Sequence, residues 1–282
     1  MALKILAQNA LDAFSEPKTT EVFTDLVMRL EPDIAFFSEA YDADRAQAVD
    51  SALPQFMDYG YQVVYGTYDD ADQRKDRQGL AMLVRRDLVV PSKSPRLMRV
   101  DGRTMAECWV VDPVNGQEVH FVGVHLNDRS EALRQAEVDD LLATVVQLEE
   151  PTIIAGDFNS LYKEHARGLV VRTARSVNRL VKLKLFPAPE PVVTTHPKKN
   201  LGRVGSLSKR LSEMASGQTM ERLRAAGFTD ADPKHRPTHP AARPFVQLDH
   251  ILVSSRLRVQ RFEILPRSTS DHLGIVAEIT LD

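Results

Sequence analysis

The densest chemistry in the chain lies in Ile153-Ile154-Ala155-Gly156-Asp157-Phe158-Asn159. Three apolar residues run into a glycine, then a carboxylate and a carboxamide stand two residues apart. The apolar run predicts a buried strand, and residues at i and i+2 of a strand share a face. Asp157 and Asn159 are therefore expected side by side at a strand's C-terminal end, where open α/β sheets gather their chemistry. A carboxylate can hold a hard cation or accept a proton, and an amide can hydrogen-bond an oxyanion. The competing reading is an Asx turn that only closes the strand.

Five other segments repeat the pattern of an apolar run with a polar functional group. Residues 3–9 end in Asn9, residues 34–39 end in Glu39, and residues 119–127 end in His125 and Asn127, again two apart. Residues 245–253 place Asp249 inside an apolar run, and residues 270–276 place Asp271 and His272 just before the last one. Singly, Glu39 reads as a solvated loop acid, His125 as a satisfied core imidazole and Asp271-His272 as a turn cap. Asp249 resists such a reading, because a carboxylate within an apolar strand is costly unless paired or metal-bound. Six coincidences of this kind in one chain point instead to a shared site.

In order, Asn9, Glu39, His125 with Asn127, Gly156-Asp157-Phe158-Asn159, Leu248-Asp249-His250 and Ser270-Asp271-His272 resemble the motifs of the endonuclease/exonuclease/phosphatase superfamily. That group includes DNase I-like nucleases, exonuclease III-like repair nucleases, sphingomyelinases, deadenylases and inositol-polyphosphate 5-phosphatases. The motifs span residues 9 to 272, nearly the whole chain. The resemblance implies an α/β (α+β) fold of the DNase I-like kind, a four-layer α/β/β/α sandwich with its site at one edge between the sheets. Exonuclease III-like members carry Asp two residues after the first Asn, where this chain has Leu11, and a Tyr near the position of His125. The histidine version looks more like the DNase I, sphingomyelinase, deadenylase and phosphatase branches.

Phosphoester hydrolysis must place water in line with phosphorus and neutralise charge on the phosphoryl oxygens. A divalent cation can do both, and Mg²⁺, or Mn²⁺ in its place, needs only one or two carboxylates. Glu39 is the first choice of ligand, with Asn9 beside it and Asp271 holding the same ion or a second one; the resemblance suggests the same assignments. Asp157 would then position or deprotonate the attacking water, and Asn159 would hydrogen-bond the phosphoryl oxygen. His272 looks like the catalytic histidine of the family and Asp249 like its carboxylate partner, which would fix the tautomer and favour the charged ring. His125 would donate to the phosphate or assist the leaving oxygen, with Asn127 a substrate contact. His250 should face away from Asp249, because strand neighbours alternate, and is read as structural.

The elements needed to position these groups are predicted from periodicity. Helices are expected at about 19–30, 43–52, 130–149, 166–185 and 207–226. Further strands are expected near 61–66, 79–85, 105–111, 258–265 and 274–281. In the 130–149 helix, Asp128 or Ser130 is the expected cap, and Leu133, Ala136, Leu141 and Val145 the buried side. Helices and strands alternate in part and strands pair in part, which fits two packed sheets flanked by helices.

Between Asn159 and Phe228 the composition changes. Residues 163–213 hold twelve Lys and Arg against three acids, a local balance of +9 in a chain whose total is −3. Arg172, Arg175, Arg179 and Lys182 have the spacing of one helix face, with Val170, Ala174, Val177 and Val181 opposite. This basic insertion is expected to bind a polyanion, nucleic acid first. A solvated surface helix is the plain alternative, and peripheral contact with an anionic membrane another. Phosphate contacts dominate nucleic-acid affinity, although Phe186 is the segment's sole aromatic residue for stacking.

Composition sets the outer bounds. The 282 residues are 43% hydrophobic and 27% charged, an ordinary globular profile. Motifs from both ends must meet, so a single domain over 1–282 is expected. Cys108 is the one cysteine; it excludes an internal disulfide framework, is too little for a zinc site, and fits core packing in a reducing cytoplasm. The N-terminal residues soon turn polar, predicting no secretory leader, and no apolar run approaches the length of a membrane span. The expected activity is that of a metal-dependent phosphoesterase cutting nucleic-acid phosphodiesters. The alternatives are a phosphatase or phosphodiesterase for lipid headgroups, inositol phosphates or other small phosphoesters, or a non-catalytic polyanion-binding protein on the same scaffold.

Overall fold

A computed structural model of the chain describes residues 2–42, 52–67, 78–100, 103–146, 149–164 and 213–282. The predicted helices at 43–52 and 166–185, and Arg172, Arg175, Arg179 and Lys182 with them, fall wholly or almost wholly outside these residues. Among the described residues, twelve strands form two mixed six-stranded sheets. In the first sheet β11 (Leu257–Ile264), β12 (Ile275–Leu281), β1 (Leu3–Asn9), β2 (Ile34–Asp42), β4 (Gln78–Arg85) and β3 (Tyr61–Thr67) lie in that order. The second runs β5 (Arg96–Val100), β6 (Arg103–Val111), β7 (Glu118–His125), β8 (Thr152–Asp157), β10 (Asp249–Val253) and β9 (Thr229–Asp230).

Alternation along the strands divides the apolar residues into layers. Leu3, Ile5, Ile34, Phe36, Met82, Ile275 and Ile279 meet Cys108, Val110, Phe121, Ile153 and Ile251 between the two sheets. On the outer side of the first sheet, Leu6, Ala35 and Phe37 pack on Phe23, Leu26 and Val27 of α1 (Pro17–Leu30). On the outer side of the second, Val122, Val124, Ile154 and Leu252 pack on α2 (Glu131–Val145) and α3 (Gln218–Ala225). The expected four-layer sandwich is therefore present. Each fully buried Leu, Ile, Val or Phe contributes about 1.5–3 kcal/mol, so the middle layer holds the sheets face to face and the outer two hold the helices on them. Gly123 permits one close approach between them: a Cβ there would lie 2.1 Å from the Phe36 ring.

Each sheet has one parallel pair at its centre, β1 with β2 and β7 with β8. Parallel neighbours end at the same sheet edge, so these pairs deliver their C-terminal residues together. β12 and β10 run antiparallel to β1 and β8, so their N-terminal starts reach that edge too. Among the described residues, no helix is long and apolar enough to cross a membrane.

Several expectations need correction. Residues 96–100 and 229–230 form edge strands that periodicity did not predict. α2 stops at Val145 and buries Glu131, Arg134, Glu137, Val138, Leu141 and Val145, whereas Leu133 is exposed. Its inner face is in part a charged network: Arg134 donates to Glu131 and to the carbonyls of Asn127 and Glu213. The helix expected over 207–226 is interrupted within its described part by a turn at 215–217, where Gly217 has a φ of +70°.

Candidate active site

Asn9, Glu39, His125, Asp157, Asp249 and His272 meet at the shared sheet edge. Asn9 closes β1 and pairs in register with Ser38, next to Glu39. His125 closes β7 opposite Asp157 at the end of β8, and Asp249 opens β10 opposite the same Asp157. Asp249 thus begins its strand rather than lying within it. Glu39 does not end its strand either: β2 continues to Asp42 through an irregularity between Phe37 and Tyr41, and Glu39 sits there with a φ of +45°. A bulge of this kind re-aims a side chain.

Asp157 is the hub. Its Oδ2 accepts from Asn9 Nδ2 at 3.1 Å and lies 3.8 Å from His272 Nε2 and 3.9 Å from His125 Nε2. Its Oδ1 accepts from the Asn159 amide at 2.9 Å. The Asx turn is therefore real and coexists with the cluster. The strand ends at Asp157 and Asn159 takes a φ of +48°, so Asn159 leaves the pleat; its Nδ2 donates to the Leu126 carbonyl at 3.0 Å. Gly156 carries a φ of +142°, and a Cβ on it would meet the Val124 carbonyl oxygen at 2.0 Å.

His272 and Asp249 form a buried pair, with Nδ1 2.8 Å from Oδ2. The same Oδ2 accepts from the Thr238 hydroxyl at 2.6 Å. Ser270 locks the loop that carries His272: its hydroxyl donates to the Asn9 carbonyl and accepts from the His272 amide. Glu39 accepts from Gln78 Nε2 at 2.7 Å, and its Oε1 lies 3.7 Å from His125 Nε2.

Burial and neighbouring charge set the protonation states. Burial alone would lower the His272 pKa, but the carboxylates of Asp249 and Asp157 outweigh it and push the imidazole up to about 10. His125 moves the other way: burial, then the nearby Arg103 and His272, hold it well below 6.5. One side of Asp157 thus faces an imidazolium and the other a neutral ring. The 3.7 and 3.9 Å approaches of His125 to Glu39 and Asp157 are accordingly not ion pairs. Glu39 is raised to about 7 by burial and by the Asp157 charge, against hydrogen bonds from Asn9 and Gln78. Burial also raises Asp157, with the Asp249 charge adding and the His272 charge opposing.

Asp271 is half exposed and faces His239 Nε2 at 3.8 Å; among the described residues it joins His239 and His272, not Glu39, in a cluster with metal-capable atoms. The Asn127 side chain is engaged locally, its Oδ1 accepting from the amides of Arg129 and Ser130. His250 is buried in the outer layer, with Nδ1 2.6 Å from Asp230 Oδ2 and its ring on Phe158 and Tyr162. Thr238 and His239 join the site without a sequence signal, since neither stands in an apolar run; Gln78, which opens β4 just ahead of a buried apolar run, was missed.

The donor set suits a hard cation. Glu39 is a carboxylate with a side chain 19% exposed, next to the amide of Asn9 and beside Asp157, and oxygen-rich sites favour Mg²⁺ or Mn²⁺. Burial is the largest cause of the rise of Glu39 to about 7, and a bound cation would offset that cost. As placed, Asn9 turns Oδ1 to the Leu11 amide and Nδ2 to Asp157, so it also orders the acids.

The family model described as Endonuclease/Exonuclease/phosphatase family matches residues 14–272. No curated protein is a match for the chain. Among solved structures, an endonuclease/exonuclease/phosphatase from Bacteroides vulgatus is similar with a TM-score of 0.64, 15% identity and 100% of each chain covered. The human Nocturnin catalytic domain with bound sulfate gives 0.61 at 15% identity, covering 100% of this chain and 95% of that one. A mannosyl-6-phosphatase from Bacteroides thetaiotaomicron gives 0.59 at 16%, covering 99% and 100%. At these identities the structural likenesses speak for the fold, while the match over residues 14–272 carries the kinship: the chain belongs to the endonuclease/exonuclease/phosphatase family of phosphoesterases.

Proposed function

We propose that the protein is a divalent-metal-dependent phosphodiesterase that hydrolyses nucleic-acid backbones. The observation that carries the chemistry is Asp157 between the His272 and His125 rings, 3.8 and 3.9 Å from its Oδ2, with Glu39 alongside. Asp157, raised by burial, can take a proton from the attacking water, since a general base works best when its pKa approaches the working pH. The His272 imidazolium, held by Asp249, faces the negative charge that develops on the phosphoryl oxygens. His125 Nε2 and the Asn159 loop complete the wall on the β7–β8 side. Glu39 with Asn9 would hold Mg²⁺ or Mn²⁺, which would neutralise phosphoryl charge and lower the pKa of a bound water. The preference for nucleic acid rests on the +9 balance of residues 163–213, with Arg172, Arg175 and Arg179 as the proposed phosphate contacts.

The test is hydrolysis of end-labelled single- and double-stranded DNA and RNA with Mg²⁺ or Mn²⁺ and a chelator control. Cutting that needs the metal and falls at least ~100-fold in Asp157→Asn is the expected result. No cutting of any polymer, with release of phosphate from sugar phosphates or inositol phosphates instead, would move the substrate to small phosphoesters. Equal activity of Asp157→Asn and the wild type would sink the mechanism.

A further inference from the structure

The segment between β9 and β10 brings a third imidazole to the site. His239 pairs with Val246 as an isolated bridge, and the segment is pinned at two points, one on the His272–Asp249 pair and one on the neighbouring Asp271. Thr238 donates its hydroxyl to Asp249, and the Ala241 amide donates to the Asp271 carbonyl at 2.6 Å. The His239 ring centroid lies 4.5 Å from that of His272, with the planes 43° apart. Its Nε2 is 3.8 Å from Asp271 Oδ2. That is longer than an ordinary hydrogen bond, yet His239 is the largest influence holding the Asp271 carboxyl below its usual range; Asp271 therefore orients the ring, and the remaining gap leaves the N–H open to an incoming acceptor.

Exposure separates the three rings. The side chains of His125 and His272 are each 7% exposed, and that of His239 is 29% exposed. His239 is therefore the most open of the three rings and stands beside His272. Each N–H···O bond spans about 2.7–3.2 Å, so two donors roughly 4–6 Å apart can serve oxygens of a single phosphate. A cation held by His239, Asp271 and His272 is the competing use of these residues, whose ligand atoms lie within 4.8 Å of one another. Such a cation would have to share His272, whose Nδ1 is already engaged by Asp249 at 2.8 Å.

We propose that His239 is a further substrate-contacting residue, donating a hydrogen bond to a phosphate oxygen of the bound ester beside His272, with Asp271 as its positioning group. The inference rests on the phosphoesterase reading of the same site. Its test compares kcat and KM for bis(4-nitrophenyl) phosphate with Mn²⁺ across five variants and the wild type. His239→Phe keeps a ring of similar shape without a donor; His239→Gln keeps an N–H near the Nε2 position without the ring. The expected result is a loss of about 10-fold in kcat/KM for His239→Phe, mainly restored in His239→Gln, with matching melting temperatures. Asp271→Asn alone should lose less, and should add nothing in the His239→Phe background. Wild-type constants in His239→Phe, or equal losses in the Phe and Gln variants, would overturn the contact. Fully additive losses for Asp271→Asn and His239→Phe would overturn the positioning. His272→Ala is the control: if it hydrolyses as fast as the wild type, the phosphoesterase reading of the site fails rather than the role of His239.

Discussion

Two imidazoles about equally far from one carboxylate oxygen end up in opposite charge states because their second partners differ. His272 has Asp249 behind it, whereas His125 has burial and the positive charge of Arg103 nearby. Removing the Asp249 charge should let burial win. In Asp249→Asn the His272 pKa should fall, and the alkaline limb of the pH–rate profile should move to lower pH by at least roughly one unit, along with a lower maximum. An unmoved limb would mean that His272 need not be charged. The pair also links to stability: with a folded pKa of about 10 above the ordinary 6.5, His272 adds stability that is complete below pH 6.5 and fades as pH rises towards 10. Glu39 has the reverse sign. Its folded pKa of about 7 lies above the ordinary 4.5, so its ionisation destabilises the metal-free fold as pH rises through that interval. Metal-free Glu39→Gln should therefore be more stable than the wild type at about pH 8, by roughly 1–3 kcal/mol. It should also lose the rise in melting temperature that Mg²⁺ gives the wild type. A variant less stable than the wild type without metal would contradict the origin assigned to the Glu39 shift.

At the scale of the element, the site is a product of strand direction. Two central parallel pairs end at one edge, and two antiparallel neighbours begin there. Gly156 lets β8 make that approach, since its φ of +142° and the 2.0 Å gap to the Val124 carbonyl exclude a side chain. Gly156→Ala should cost more than about 2 kcal/mol in denaturant unfolding and reduce activity with it, because Asp157 is the next residue. An unchanged unfolding midpoint would show that the backbone can relax there. Asn9, His125 and Asp157 were legible because an apolar run that stops at a polar residue marks both a strand and its end. Glu39 was legible as a residue but not as a bulge, since nothing in Phe37-Ser38-Glu39-Ala40 signals a left-handed turn of the backbone. The i, i+2 argument for Asp157 and Asn159 picked two residues that the structure does bring together, but by a geometry that the strand does not extend far enough to supply. The charged face of α2 was hidden because hydrophobic periodicity does not register Glu131, Arg134 and Glu137 being satisfied by polar partners in the interior. Thr238 and His239 lie in a segment without periodicity, and only the fold of the chain on Asp271 brings them in.

Across the whole molecule, charge is distributed unevenly. Residues 163–213 carry +9 and the remainder −12, so an anionic polymer approaching the body meets repulsion that the basic segment must offset. The chain leaves and re-enters the described fold at neighbouring points: the Leu161 amide donates to the Met214 carbonyl at 3.0 Å, and Arg224 pairs with Glu164 at 2.8 Å. Leu161 is two residues from Asn159, which ties the start of the basic segment to the end of the site. If Arg172, Arg175 and Arg179 contact phosphates, replacing all three by Gln should weaken binding of an oligonucleotide and reduce the slope of log K against log salt. The reduction should be about 0.7–0.9 for each phosphate that the substitutions leave unneutralised. Hydrolysis of bis(4-nitrophenyl) phosphate, too small to span site and segment, should keep its kcat and KM. A salt slope unchanged by the triple substitution would leave these arginines as solvated charge and remove the main support for a nucleic-acid substrate. A fall in the small-substrate kcat as well would mean instead that the segment supports the site itself.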